Sequence, residues 1–182
     1  MKLRGRTAAL ALLTVVVFAG GQRAIAQIGL YGGLTGAKPA AANTAWMFGP
    51  SAGVYFNRGY GVVAAGPDVR GAFLSRGDTT GSGSSESLKT LLLGYRLAVT
   101  PHVLPFKPYG EVLGGLGSLT AGQGAARTTG LHPAYGFAVG LDWTILPRLD
   151  LRALEFADER FTGNAGAFSE QILTTGVVLR LP

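Results

Sequence analysis

The chain has 182 residues, no cysteine and a formal net charge of +6 at neutral pH. The lack of cysteine excludes disulfides, thiol catalysis, cysteine-based zinc sites and a lipid-modified N-terminal cysteine. Four of the 16 basic residues (Lys2, Arg4, Arg6 and Arg23) lie in the first 26 residues, so the remainder carries 12 basic and 10 acidic residues. That near-balance, without any basic run, argues against a nucleic acid partner.

The first 26 residues have the three parts of a secretory signal peptide. Lys2, Arg4 and Arg6 form a basic start, residues 8–19 form an apolar run, and Ala24, Ile25 and Ala26 give a small-x-small cleavage pattern. The alternative is a membrane anchor, but the apolar run is shorter than the about 20 residues that span a bilayer. We therefore expect residues 1–26 to be a cleaved signal peptide and residues 27–182 to form one exported domain.

Residues 27–182 read as eight short segments in which apolar residues alternate with small or polar ones. The pattern predicts strands at residues 27–35, 47–57, 61–75, 88–100, 109–119, 134–145, 149–158 and 170–181. The connections after the odd-numbered segments are long and rich in Gly, Ser, Thr and Ala, whereas those after the even-numbered segments are short or stiffened by proline. This alternation predicts an all-β fold, an eight-stranded antiparallel up-and-down transmembrane β-barrel.

The sixth segment shows which face is apolar. Tyr135, Phe137, Val139, Leu141 and the following alternate positions lie on one side, and the other side is mostly glycine and alanine with Asp142. A small-residue face suits a crowded lumen, and an apolar face suits lipid. We expect the aromatic residues near strand ends to form interfacial girdles, although aromatic residues are common in any strand. The expected girdle residues are Tyr31, Trp46, Phe48, Tyr55, Phe56, Tyr60, Tyr95, Phe106, Tyr109, Tyr135, Trp143, Phe156 and Phe161.

Several local features carry their own expectations. Residues 57–60 predict a tight turn and Pro147 another, and Pro67 predicts a bulge or local break in the third strand. Strict alternation from Arg152 would send Glu155 to lipid, so we expect a bulge near Ala153 and Leu154 that turns Glu155 inward. The two histidines, at 102 and 132, fall in different predicted connections, which argues against a shared metal site or catalytic pair.

The inward face collects charges of both signs. We predict a structural network in the lumen formed by Asp68, Arg70, Arg96, Glu111, Asp142, Asp150, Arg152, Glu155 and Arg180. If Glu155 is left aside, because its inward position depends on the bulge, the set contains four arginines and four carboxylates. Equal numbers are expected in a narrow lumen, because an unpaired buried charge is costly. The alternative interpretation is a narrow pore lined by charge.

The sequence resembles the small outer-membrane β-barrel proteins, the OmpA/OmpX-like eight-stranded group and its outer-membrane β-barrel domain relatives. The resemblance rests on the signal peptide, on the start of the first strand (residues 27–33), and on residues 108–115, 136–143 and 149–152. It implies an outer-membrane, non-catalytic protein without cofactor, with a structural or surface-interaction role. The implied partners are outer-membrane lipid and the barrel-assembly machinery, and the implied state is a monomer. Members usually end in an aromatic residue, whereas this chain ends in Leu181 and Pro182.

Two further functions stay open beside the pore. A lipid-modifying outer-membrane enzyme similar to the lipid A deacylases would need a His-x-Ser pair, but His132 is followed by Pro133 and Ala134. A soluble lipocalin-like ligand binder would need its apolar face turned inward.

Overall fold

The eight predicted strands form in the computed structural model, which describes residues 26–39, 45–77, 85–101, 103–122, 128–163 and 167–181. In chain order the strands are β1 (Ala26–Pro39), β2 (Met47–Tyr60), β3 (Val63–Arg76), β4 (Ser85–Val99), β5 (Phe106–Gly122), β6 (Thr128–Leu146), β7 (Leu149–Phe161) and β8 (Phe168–Leu181). The predicted signal peptide lies outside the described residues except for Ala26, which begins β1. No helix in the described part of the chain is long and apolar enough to cross a membrane.

The strands close into a barrel in sequence order. Each strand pairs antiparallel with its neighbours, and β1 pairs with β8 from Ile28 opposite Leu181 to Pro39 opposite Glu170. Closure leaves no edge strand unpaired, because every strand has two neighbours. The predicted eight-stranded antiparallel up-and-down barrel is therefore confirmed.

The two ends of the barrel differ. We call the end that carries the connections after β1, β3, β5 and β7 the loop end, and the end that carries both termini of the barrel the turn end. At the turn end, β2 and β3 are joined by Gly61 and Val62, and β6 and β7 by Pro147 and Arg148. The predicted turn at Pro147 is confirmed. The turn predicted at residues 57–60 lies further along, where Gly61 adopts a left-handed φ of 66°.

Several other boundaries also differ from prediction, because backbone pairing extends strands into segments whose composition is typical of loops. Strand β4 begins at Ser85 and β6 at Thr128, so His132 lies in a strand and not in a connection; His102 lies outside the described residues. At Pro67, where we expect a bulge or a local break, no bulge forms, but the pairs of Phe56 with Pro67 and of Asn57 with Gly66 are missing from the ladder between β2 and β3, which is a local break. The register between β2 and β3 is the same on both sides of it, with Tyr55 opposite Asp68 and Arg58 opposite Ala65.

Strand β7 contains one extra residue. Asp142 of β6 lies opposite Arg152, but the preceding Leu141 lies opposite Leu154, and the pairing with β8 also shifts between Arg152 and Glu155. Ala153 is thus left without a partner of its own, which is the pattern of a β-bulge. The bulge puts Leu154 on the outer face and Glu155 on the inner face.

The outer face is an apolar band that ends in polar residues at the loop end. Across its middle lie exposed side chains such as Leu93, Val112, Val139 and Val177. Toward the loop end, polar side chains appear at outward positions of β1, β3, β4, β7 and β8, and we call this set the outer polar belt: Lys38, Ser75, Lys89, Asp158, Arg160 and Gln171. Toward the turn end, aromatic rings such as Phe106 and Trp143 pack together on the outside, with centroids 5.2 Å apart.

Candidate functional site

The lumen holds the charged side chains that the alternation of the strands assigns to the inner face. Eight of the nine are buried, namely Asp68, Arg70, Arg96, Glu111, Asp142, Asp150, Arg152 and Glu155. Arg180 is partly buried and lies at the turn end. The candidate site is therefore the interior of the barrel, and its chemistry depends on how these charges pair.

Six of the charges form a closed ring in which arginines and carboxylates alternate, and we call it the ion-pair ring. It is formed by Arg70, Glu111, Arg96, Asp142, Arg152 and Glu155, in that order, before it returns to Arg70. Each arginine contacts two carboxylates and each carboxylate contacts two arginines. A planar guanidinium with five donors is suited to bridging two acceptors in this way.

The contacts in the ion-pair ring are short. Arg96 Nη2 donates to Asp142 Oδ2 at 2.5 Å and Arg96 Nη1 to Glu111 Oε1 at 3.2 Å. On the other side, Arg70 donates to Glu111 and, at 2.7 Å, to Glu155 Oε1. The ring is completed by Arg152, whose Nε lies 3.2 Å from Asp142 Oδ1 and whose Nη1 lies 3.2 Å from Glu155 Oε2. Strands β3 to β7 are thereby linked across the lumen.

Asp68 adds a fourth carboxylate beside the ring. Its Oδ1 lies 3.3 Å from Arg70 Nε, and Tyr31 donates its hydroxyl hydrogen to the carboxylate, with oxygen distances of 2.8 and 3.0 Å. The central group thus contains three arginines and four carboxylates, one negative charge in excess.

Arg180 and Asp150 do not join the ion-pair ring. They form a separate cluster at the turn end, where Asp150 Oδ2 lies 2.9 Å from Arg180 Nε and 3.0 Å from Lys107 Nζ. Our sequence reasoning missed Lys107, although it lies two residues before the lumen residue Tyr109 and therefore on the same face. The cluster carries one positive charge in excess, which balances the excess of the central group.

Three tyrosines stack against the arginines inside the barrel. The guanidinium carbon of Arg96 lies 3.5 Å from the ring centroid of Tyr109 and 4.5 Å from that of Tyr55, and that of Arg152 lies 4.1 Å from Tyr31. Tyr109 also donates to Glu155 Oε2 at 2.6 Å. The prediction that Tyr31, Tyr55 and Tyr109 belong to an interfacial girdle is wrong, because alternation turns them inward; Phe161 is likewise buried in the lumen.

Each of these tyrosines lies over a glycine of the neighbouring strand. A Cβ atom at Gly29 would lie 2.1 Å from the Tyr55 ring, and one at Gly53 or Gly140 would lie 2.4 Å from the Tyr31 or Tyr109 ring. These are directly opposite positions in the sheet. The glycines of the inner face thus provide the room that lets large rings lie flat across the lumen.

An apolar layer fills the lumen between the ion-pair ring and the loop end. Its buried members are Ala37, Met47, Leu74, Leu88, Leu92, Leu113, Ala134, Ala138, Ala157, Phe161 and Ile172. The sequence carried a signal for it, because Leu91, Leu92 and Leu93 place apolar residues on both faces of β4. Between this layer and the ring lies a cavity of about 30 Å³, lined in part by Arg70, Leu74 and Glu155. It has room for one or two water molecules.

Above the apolar layer, two carboxylates lie side by side. Glu159 and Glu170 are opposite each other in β7 and β8, and both are buried. The Oε2 atom of each has no hydrogen-bond partner among the residues that the structure describes. His132 is also buried there and packs edge-on against Phe168, at 5.4 Å between centroids. Within the described residues, no group of three or more histidine, aspartate or glutamate side chains is arranged to hold a metal ion.

The comparisons with known proteins agree with this architecture. No family model matches the sequence, and no curated protein is similar enough in sequence to be a relative. Among solved structures, the chain is similar to Ail, the attachment invasion locus protein of Yersinia pestis, at 11% identity and a TM-score of 0.59, over 85% of this chain and 98% of that one. The chain has the fold of the small outer-membrane barrels.

Two further solved structures give the same result. Neisserial surface protein A is 12% identical with a TM-score of 0.55, over 87% of this chain and 99% of that one. A major outer membrane protein from Thermus thermophilus is 13% identical with a TM-score of 0.56, over 86% of this chain and 100% of that one. At such identities the likeness establishes the fold and leaves function to be argued from the residues.

Proposed function

We propose that this chain is an exported outer-membrane protein whose barrel is a non-catalytic, non-conducting body, with a structural or surface-interaction role. The barrel holds the protein in the membrane with its loop end toward the outside. The surface-interaction role belongs to that end, because the long connections of small outer-membrane barrels face outward. The first 26 residues act as the export signal.

The outer surface supports the membrane part of the proposal. An apolar band with a polar belt at one end and stacked aromatics toward the other is what a bilayer and its interfaces favour. A soluble ligand-binding barrel of the lipocalin kind is disfavoured, because the large exposed apolar side chains, such as Leu93 and Val139, point out of the barrel.

The observation that carries the closed lumen is the ion-pair ring beneath the apolar layer. An ion that entered from the loop end would have to pass the buried Leu74, Leu88 and Phe161 and then separate an arginine from two carboxylates. The apolar step requires dehydration and the second step breaks buried ion pairs, so both oppose conduction. The ring therefore favours a structural network over a narrow pore.

A lipid-modifying enzyme is the remaining alternative, and the position of His132 disfavours it. A hydrolase of that kind needs a histidine beside a serine nucleophile at the rim, accessible to the lipid. His132 is buried in the lumen against Phe168, and the next residues along its strand are Pro133 and Ala134. We propose that no cofactor takes part.

The partners follow from the proposed location. They are the lipid of the outer membrane and the barrel-assembly machinery, with no nucleic acid, and the protein acts as a monomer. Closure of the sheet between β1 and β8 leaves no unpaired strand edge for a second copy to cover, which supports the monomer.

Membrane fractionation and planar-bilayer recording test the proposal. We expect the full chain, expressed in a Gram-negative host, to fractionate with the outer membrane and to change its gel mobility on boiling. In a planar bilayer, the same protein should give no stepwise current. Recovery in the aqueous periplasmic fraction without detergent would contradict the membrane location, and reproducible ion-selective steps would contradict the closed lumen.

A further inference from the structure

The outer face carries an apolar groove near the loop end, across β7, β8, β1 and β2. Its volume is about 460 Å³, and its walls are Leu34, Trp46, Phe48, Leu154 and Leu173, with Gly36 and Thr175 between them. This volume lies within the about 300–1,000 Å³ that is typical of small-molecule sites. The lining is almost entirely apolar, so the groove suits a hydrocarbon chain.

The sequence builds the walls of this groove specifically. Trp46 and Phe48 stack with centroids 6.0 Å apart and lean over Gly36, where a Cβ atom would lie 2.9 Å from the Phe48 ring. The opposite wall is Leu154, which faces outward because of the bulge in β7. Leu34 and Phe48 are 69% and 63% exposed, so the groove is open in the described part of the chain.

A cation lies at the end of the groove nearest the loop end. Lys38 follows Gly36 on the outer face of β1 and is exposed, and none of the ion pairs among the described residues includes it. Its neighbour across the strand pair is Gln171, and the next carboxylate along the outer polar belt, Asp158, lies 3.6 Å from Arg160. Among the described residues, Lys38 thus offers a positive charge without an ion-pair partner directly beyond an apolar groove.

We propose that this groove is a binding site for one lipid with an anionic headgroup. One acyl chain lies between the Trp46–Phe48 wall and Leu154, and the headgroup contacts Lys38. The inference rests on the proposed membrane location. It goes beyond that proposal because general solvation by lipid tails would select neither the charge of a headgroup nor a particular position on the barrel.

Tryptophan fluorescence can test the site, since the chain has two tryptophans and only Trp46 lines the groove. Trp143 faces outward at the other end of the barrel and is the matched control. The Trp143→Phe variant reports on Trp46, and the Trp46→Phe variant reports on Trp143. Each would be folded into phosphatidylcholine vesicles that contain a small fraction of acyl-brominated lipid, either anionic phosphatidylglycerol or zwitterionic phosphatidylcholine.

We expect the anionic brominated lipid to quench Trp46 at about fivefold lower content than the zwitterionic one, the preference that one lysine near an anionic group provides. Trp143 should show no preference. Lys38→Gln should remove the preference at Trp46, and Thr175→Phe, which fills the groove, should reduce quenching of Trp46 by both lipids.

The outcomes separate the site from the membrane proposal. Equal quenching of Trp46 by the two lipids, with normal quenching of Trp143, would overturn the site and leave the membrane barrel intact. Quenching of Trp143 alone would also overturn it, because protein from a second copy or from the same chain would then cover the groove. If neither tryptophan is quenched in protein that has lost its heat-modifiable mobility, the membrane location itself is wrong.

Discussion

Breaking the ion-pair ring at different members should have unequal effects on stability. Glu111→Gln removes one negative charge from a central group that has one in excess, and Arg70 and Arg96 each keep another carboxylate. Arg96→Met instead leaves Glu111 and Asp142 each with one cation fewer. Removing one partner of a buried pair typically costs about 3–5 kcal/mol, so we expect Glu111→Gln near the lower value and Arg96→Met near the upper one.

Urea titration in lipid vesicles, with gel mobility as the readout, measures the free energy of unfolding of each variant. The double variant should cost less than the sum, because each substitution removes the group that the other leaves unpaired, and coupling energies between contacting residues are about 0.5–3 kcal/mol. Costs below about 1 kcal/mol for both single variants, as for exposed ion pairs, would refute the buried network. A changed ion selectivity without loss of stability would instead support a pore.

Three further predictions test other parts of the barrel. Leu93→Arg, in the middle of the apolar band, should cost about 2–4 kcal/mol, whereas Gln171→Arg in the outer polar belt should cost close to nothing; equal costs would contradict the assigned faces. Tyr109→Phe should cost about 1–3 kcal/mol, because Glu155 loses its hydroxyl donor while the ring still stacks on Arg96, and urea titration with Tyr95→Phe on the outer face as control measures it. Glu170→Gln should maintain or increase stability, because it replaces an ionisable carboxyl group buried directly opposite Glu159 with a neutral amide of the same shape; a loss as large as that of Glu111→Gln would contradict this.

The sequence was sufficient for the fold because the outer and inner faces of the barrel carry opposite residue types at alternate positions. In β6, that contrast assigns Phe137 and Val139 to the outside and Asp142 to the inside. The same argument assigns the charged residues to the lumen but does not predict which of them form ion pairs. Whether Arg96 meets Asp142, two strands away, depends on the tilt and stagger of the closed barrel, which periodicity does not contain.

The errors have related causes. Tyr31, Tyr55 and Tyr109 were assigned to a girdle from their closeness to strand ends, although their alternation with outward residues such as Leu30 and Val54 points inward. The apolar layer was missed because the prediction assumed that every apolar side chain faces lipid. Both errors concern the inner face. Residues there are selected by how their side chains pack against one another, whereas periodicity shows only which face a residue lies on.

The bulge in β7 allows a last prediction, because it connects the lumen with the outer groove. Ala153 is the extra residue, so its deletion should return β7 to simple alternation with Arg152 inward, Leu154 outward and Glu155 inward. The ion-pair ring would keep its members, and we expect the shortened chain to refold in vesicles and to retain heat-modifiable mobility.

Deletion of Ala157 is the matched control, since it removes the same side chain from a regular part of the same strand. A one-residue slip in a regular strand moves every following side chain to the other face. Glu159 would then face outward and Asp158 and Arg160 would enter the lumen, so refolding should fail. If the two deletions are equally harmful, the strand does not absorb its extra residue at Ala153, and another feature must turn Glu155 toward Arg70.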